Sequence, residues 1–461
     1  MNNDTIFALS SGFGKSGVAV IRISGDNLHD FATRLVRGNS APWGGGPTKS
    51  VEGVTARHAY FCNLTDDKGD LIDQCIVIYF AAPASFTGQD IIEIHSHGAS
   101  AVINKIFAFL SANNMRMAEP GEFSRRAFLN GKMNLSDVDG LAALLDAQTD
   151  KQRQFALKSM LGSDSEIYNT WREQMVEIAA YGAAILDYDS DDLPQNIGEK
   201  ILGKTRNLYS EINNSLSRYN VSRAITHGFN IALVGETNVG KSSIFNKLVG
   251  ANRAIVSDIA GTTRDVISAQ IDIDGFLVNL SDTAGLRETE DKIEKLGIDR
   301  TKSELDNADL VLHVFADDSA PVGRMVGAAD GGGYSAPAEN TTKEIIVINK
   351  SDKIKTRDNK NAIYTSTKTG DGIDELLNAI RKKMHAYLDN TENTLVINAR
   401  TYKLLSDTKS ELENAIEKFD GNYDIFAEHV RAAADNIGKI LGTITANDVM
   451  DATFSQLCLG K

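Results

Sequence analysis

Cysteine is nearly missing from this chain: 461 residues contain only Cys62, Cys75 and Cys458, none in a CxxC spacing. An odd number so spaced suggests neither a disulfide framework nor a zinc cluster, and a reducing compartment fits. Proline is scarce too, at 7 residues, and aromatics make up 7%. With 42% hydrophobic and 24% charged residues, the composition still lies in the globular range and outside the disordered and fibrous ones. No apolar run approaches the roughly 18 residues of a membrane span, so no membrane partner is expected. Asp4 stands where a secretory signal would carry basic residues. A cytoplasmic location is therefore expected. Positive charge is also in deficit. A formal net charge of −14 argues against a uniformly basic, nucleic-acid-coating surface, although a local patch would not appear in that sum.

What the chain does have is length for two to four domains and a pattern that changes along it. Residues 1–120 alternate short β-rich runs (Val18 to Ile23, Cys75 to Tyr79, Ile91 to Ile94) with helical stretches such as Ala101 to Leu110, an α+β pattern. Residues 121–225 turn to helical spacing, with Val138 and Leu141 on one face. Over 226–388 the short apolar strands Ile231 to Val234, Val278 to Leu280, Leu310 to Phe315, Ile345 to Ile348 and Ile363 to Thr365 indicate a doubly wound α/β domain of the P-loop, Ras-like kind. Its stretch from Asp317 to Asn340 has no periodicity and reads as a surface loop. Helical spacing resumes over 389–461, so the expected fold is multidomain α/β and α, with the α/β module inserted into a discontinuous helical domain.

Four elements in the α/β module carry chemistry. Gly235 to Ser242 reads GETNVGKS, a GxxxxGK[ST] loop between an apolar strand and a helix. Backbone amides around Asn238, Val239 and Gly240 can close on phosphate oxygens, Lys241 brings a charge to the β and γ phosphates, and Ser242 can coordinate Mg²⁺. Asp282, Thr283, Ala284 and Gly285 form DxxG, with the aspartate in reach of the Mg²⁺ shell and the Gly285 amide in reach of the γ-phosphate. Between them, Gly261, Thr262, Thr263 and Arg264 offer a threonine to complete those contacts. Asn349, Lys350, Ser351 and Asp352 form NKxD, whose carboxylate can accept both the N1 and N2 hydrogens of guanine that adenine lacks; GTP is the expected ligand. Ser366, Thr367 and Lys368 stand where a second base-contacting loop belongs. Leu286 follows DxxG and cannot position water, which leaves Glu288, Glu290, Asp291 and Glu294 as candidates that spacing alone does not separate.

The string from Gly261 to Asp265, the DTAGLRE beginning at Asp282, VIRISG at Val20 to Gly25, SFTGQDIIEIHSHG at Ser85 to Gly98, EPGEFSRRAFLNGK at Glu119 to Lys132 and the terminal Cys458 to Lys461 extend over the whole chain. Together they resemble the MnmE (TrmE) family of tRNA-modifying GTPases. The resemblance implies an N-terminal folate-binding domain that forms a homodimer. It also implies a partner, the FAD protein MnmG, in a heterotetramer acting on tRNA. That family adds an aminomethyl or carboxymethylaminomethyl group to carbon 5 of the wobble uridine, with 5-formyl- or methylene-tetrahydrofolate as one-carbon source.

By motif position, Arg22, Glu93, Lys132 and Lys461 resemble the folate contacts. Ser243, Ser257, Asp258, Ile259 and Ala260 join the nucleotide contacts, and Thr263 is taken with Ser242 for Mg²⁺. K⁺ would be held by Asn238, Ser257, Ile259 and Thr262 where the G domains pair. The family's water-orienting glutamate falls on Glu294, and Cys458 takes the place of a terminal cysteine considered for the modification chemistry. Thr237, where proline is common, and Leu459, for isoleucine, are departures that remove no ligand. His95 and His97 would share a strand face, but with no third ligand evident a structural or folate-pocket role is expected. Two other readings stand beside this one. A GTP-dependent assembly factor on ribosomal RNA would have no use for the N-terminal strings or the terminal CLGK, and the G domain of a membrane transporter lacks its spans.

Overall fold

The computed structural model describes residues 4–12, 14–36, 53–187, 196–255, 267–282, 305, 307–316, 343–354, 357, 359–388, 394–419 and 422–443. The chain divides into two compact units, one of Met1–Ala142, Gly162–Gln174 and Ala434–Lys461, the other of Ala143–Leu161 and Met175–Ala433.

The first unit is built on β1 (Ile6–Leu9), β2 (Ser16–Gly25), α1 (His29–Val36), β3 (Ala59–Thr65), β4 (Leu71–Phe80), β5 (Asp90–Gly98), α2 (Ser100–Ala112), β6 (Arg116–Met117) and α3 (Glu122–Leu129). Among the described residues the sheet has the order β3-β4-β5-β2-β1-β6. Alternation along the strands gives it two unlike faces. Cys62, Leu64, Cys75, Val77, Ile94, Ile21 and Ile23 point inward and pack with Leu35, Val36, Ile106 and Leu110 of the first two helices. The opposite face carries a row set by the register: Val20 opposite His95, His95 opposite Ile76, Ile76 opposite Phe61. Phe61 and Ile76 remain 43% and 39% exposed. At the β1 end of this outer face, Phe123 of α3 packs on Ile6, Ala8 and Ala118.

Helices α4 (Leu135–Asp146), α5 (Asp150–Met160), α6 (Ser163–Asp187), α7 (Ile197–Ser217) and α8 (Tyr219–His227) follow. α5 starts in a reciprocal cap, Thr149 accepting from the Gln152 amide while Gln152 reaches back to the Thr149 amide. The second unit centres on β7 (Phe229–Val234), α9 (Lys241–Ala251), β8 (Arg253–Ile255), β9 (Ile267–Ile273), β10 (Phe276–Asp282), β11 (Leu310–Phe315), β12 (Glu344–Ile348), β13 (Ala362–Tyr364) and α10 (Ile373–Leu388). Its sheet order is β13-β12-β11-β7-β10-β9-β8, parallel from β13 to β10. β9 runs antiparallel to β10. Asp274 and Gly275, both at positive φ, make the two-residue turn between them, because that turn needs left-handed backbone. The parallel strands are apolar on both faces, as burial under helices on both sides requires. α11 (Ala399–Glu417) and α12 (Tyr423–Leu441) close the described chain. Among the described residues no helix is long and apolar enough to cross a membrane.

Candidate active site

β7 delivers the chain to Gly235 at a φ of 152°, where an added Cβ would lie 2.2 Å from the Val314 carbonyl oxygen. Only glycine lets the loop leave the sheet there. Asn238 and Gly240 continue it at φ of 64° and 98°, and α9 opens at Lys241 with its first amides facing the loop. Lys241, 4% exposed, donates through Nζ to the carbonyls of Gly235 (2.8 Å) and Glu236 (2.7 Å). Ser242 Oγ donates to Asp282 Oδ2 at 2.7 Å, and Asp282, the last residue of β10, is fully buried. The hydroxyl and carboxylate assigned from GKS and DxxG thus meet in one place.

The base-reading loop is fastened to the phosphate loop. Asn349, which follows β12, donates through Nδ2 to Val239 O at 2.9 Å. Lys350, at a φ of 61°, donates through Nζ to Asn238 O at 2.6 Å. Gly240 is obligatory for that approach, since a Cβ would come 2.2 Å from Asn349 Nδ2. Ser366 Oγ donates to Asp352 Oδ1 at 2.8 Å, and this bond above all holds the exposed Asp352 carboxyl below its ordinary range. Ser351 Oγ is buried without a hydrogen-bond partner. A cleft of about 760 Å³ lies beside these loops, lined by Ser243, Asn246, Lys247, Thr367, Lys368 and Asp374. Asn246, Lys247 and Asp374 had not been singled out from sequence, although Asn246 and Lys247 lie one helical turn from Ser243.

Ser257, Asp258, Ile259, Ala260, Gly261, Thr262, Thr263, Thr283, Ala284, Gly285 and Glu294 lie outside the described residues, as do Cys458, Lys461 and the stretch from Asp317 to Asn340.

A second polar group occupies the outer face of the first unit. Arg22 and Glu93 are opposite in the β2–β5 register, and Arg22 donates through Nε and Nη2 to Glu93 Oε1 at 3.0 and 2.8 Å. The guanidinium lies over Phe86 (5.4 Å) and Phe123 (5.9 Å), and His95 Nε2 reaches Glu93 Oε2 at 3.4 Å. Lys132 runs along Gly88, its Cε 3.3 Å from where a Cβ would stand, and Asn130 Nδ2 donates to Thr87 O at 2.7 Å. Arg22 and Glu93 are thus in direct contact, and Lys132 reaches the loop that supplies Phe86. His97 instead binds Asp73, with Nδ1 2.8 Å from Oδ1, so the two histidines serve different carboxylates. Among the described residues no group of three or more His, Cys, Asp or Glu side chains could hold a metal ion.

Comparison with known proteins agrees over both units. Residues 5–132 match the family described as GTP-binding protein TrmE N-terminus, and residues 135–458 match the MnmE helical domain. The tRNA modification GTPase MnmE of Agrobacterium fabrum is 38% identical over 460 residues, 99% of either chain. That of Brucella canis is 36% identical over 462 residues, 100% of this chain and 98% of its own. The G domain of the T. maritima FeoB iron transporter is a similar solved structure, with 24% identity over 34% of this chain and 98% of its own and a TM-score of 0.22, too low to carry weight. With identity above a third over the full length and two family matches that together span the chain, this protein belongs to the MnmE family of tRNA modification GTPases.

Proposed function

We propose that the chain hydrolyses GTP to drive a conformational cycle controlling modification of carbon 5 of the wobble uridine in tRNA, together with an FAD protein of the MnmG kind. The observation that carries the nucleotide half is the convergence of Lys241, Ser242 and Asp282 with Asn349, Ser366 and Asp352 around one loop pair. A buried carboxylate 2.7 Å from a hydroxyl is an oxygen pair suited to a hard cation, which supports Mg²⁺ at Ser242; Thr263 would be its further ligand. That ion would neutralise charge on the β and γ phosphates. Lys241 would exchange its two carbonyl partners for phosphate oxygens, and Asp352, kept ionised by Ser366, would accept from the guanine edge. Asn238, Ser257, Ile259 and Thr262 would hold K⁺ where two G domains pair, and Glu294 would orient the attacking water.

In the first unit, the Arg22, Glu93 and Lys132 group would take a tetrahydrofolate, with Lys461 on its glutamate tail. The apolar row on the same face would receive a second copy of the chain. The organisation proposed is a folate-binding domain over 1–120, helical segments over 121–225 and 389–461, and the G domain over 226–388.

The test is GTP turnover by the full chain in matched KCl and NaCl buffers, beside Glu294→Ala. Strong stimulation by K⁺ that the variant loses is the expected result. Equal rates in the two salts would remove Asn238 as a K⁺ ligand and revive the ribosomal assembly reading.

A further inference from the structure

Cys62 and Cys75 are opposite residues in the antiparallel β3–β4 register. Both side chains point into the core, 1% and 2% exposed, both are free thiols, and their Sγ atoms are 3.7 Å apart. Directly opposed residues on antiparallel strands have Cα atoms about 4.5 to 5.5 Å apart, inside the span of about 4.4 to 6.8 Å that a disulfide bridges. Rotation of the two side chains can therefore close the bond without moving the strands. Among the described residues β3 is the edge of its sheet, so local opening there gives a small reagent a path to buried sulfur.

We propose that Cys62 and Cys75 form a redox-modification site, a dithiol that a small hydroperoxide converts reversibly into a cross-strand disulfide. The order of events follows from the pair's own hydrogen bond. With Cys75 as donor, the bond holds the Cys62 thiol below its usual range, while the same bond and then burial push the Cys75 thiol up. Cys62 is the attacking sulfur: its thiolate displaces hydroxide from the peroxide O–O bond and becomes a sulfenic acid. The Cys75 sulfur then attacks that sulfur, the S–O bond breaks, and the hydroxyl leaves as water with the Cys75 proton. In sum, two thiols and one hydrogen peroxide give one disulfide and two waters. A thiol reductant reverses it by exchange. The bridge would pin the edge strand to its neighbour one residue from the outward Phe61–Ile76 pair.

The full chain, treated with hydrogen peroxide and then alkylated, is digested and mapped by mass without reduction. The expected product is one cross-linked species joining the Cys62 and Cys75 peptides. It should be about 2 Da lighter than the sum of the two and be lost on adding dithiothreitol. Cys75→Ser should leave Cys62 as a sulfenic acid trapped by dimedone, and hydrogen exchange of the β3 amides in the bridged wild-type chain should slow by about tenfold or more. The proposal is overturned if both thiols remain alkylatable at a peroxide dose that oxidises an exposed control thiol. It is equally overturned if the wild-type chain goes to sulfinic acid, if either cysteine bridges to Cys458 instead, or if β3 exchange is unchanged in the bridged form.

Discussion

Ser366 bears on the proposed base recognition through Asp352. Its hydroxyl fixes one Asp352 oxygen at 2.8 Å and keeps the exposed carboxyl ionised. Ser366→Ala is expected to weaken guanine nucleotide binding about fivefold, through loss of one hydrogen bond to Asp352. A fluorescent GDP titration measures this, and an unchanged Kd would mean that Asp352 is positioned by other groups. Gly240 acts by what it lacks. At a φ of 98°, with Asn349 Nδ2 2.2 Å from an added Cβ, Gly240→Ala must break either the loop conformation or the tie to Val239. Nucleotide affinity should fall about tenfold or more in the same titration, while the circular dichroism stays native. GxxxxGKS was legible because its meaning is local, eight consecutive residues between a strand and a helix. The Ser366 contact was legible only as a position, since a side-chain bond across 14 residues depends on how two loops fold back.

At the scale of elements, α3 is held to β1 and β6 by charge. Glu122 accepts from both nitrogens of the Arg116 fork and from Arg126, and Asp4 takes further bonds from the same two arginines. Burial works against the Glu122 charge, but the bonds from Arg116, the Glu119 amide and Arg126 outweigh it and hold the carboxyl below its ordinary range. A carboxyl depressed in the folded state stabilises fully above its unfolded value of about 4.3 and loses that contribution as pH falls through the folded one. Thermal melts from pH 7 to pH 3 should therefore decline steeply at the acid end. Glu122→Gln should lower stability by about 2 kcal/mol at pH 7 and flatten that decline, and parallel curves for the two proteins would refute the assignment.

The parallel strands were legible from their apolar runs, and the helices from their spacing. Register was not. Arg22 faces Glu93 across 71 residues, and Cys62 faces Cys75 without any CxxC signal, because strand pairing is decided by the whole sheet. The Asp274–Gly275 turn is a local signal that was available and had gone unread.

For the whole molecule, the outer face of the first unit sets the expected state of assembly. Phe61 and Ile76 are adjacent across β3 and β4 and half open to water, so if the proposed homodimer forms through this row, Phe61→Asp should shift it toward monomer by sedimentation without changing the fold. If the variant sediments as the wild type does, this row is not the interface of the proposed dimer. The alternation of helical and α/β spacing leads to the expectation of an inserted module, whereas the face that α1 and α2 leave open in the first unit follows from which strand residues point toward those helices, which depends on register. The Arg22–Glu93 pair lies two residues along the same sheet face from the His95, Ile76 and Phe61 row, which bears on binding. If the second copy proposed for this row also removes water from the ion pair, then ligand binding at Arg22 and Glu93 and self-association are linked. Under that proposal each would tighten or loosen the other by the same factor, and the apparent affinity for the small molecule would become a function of protein concentration.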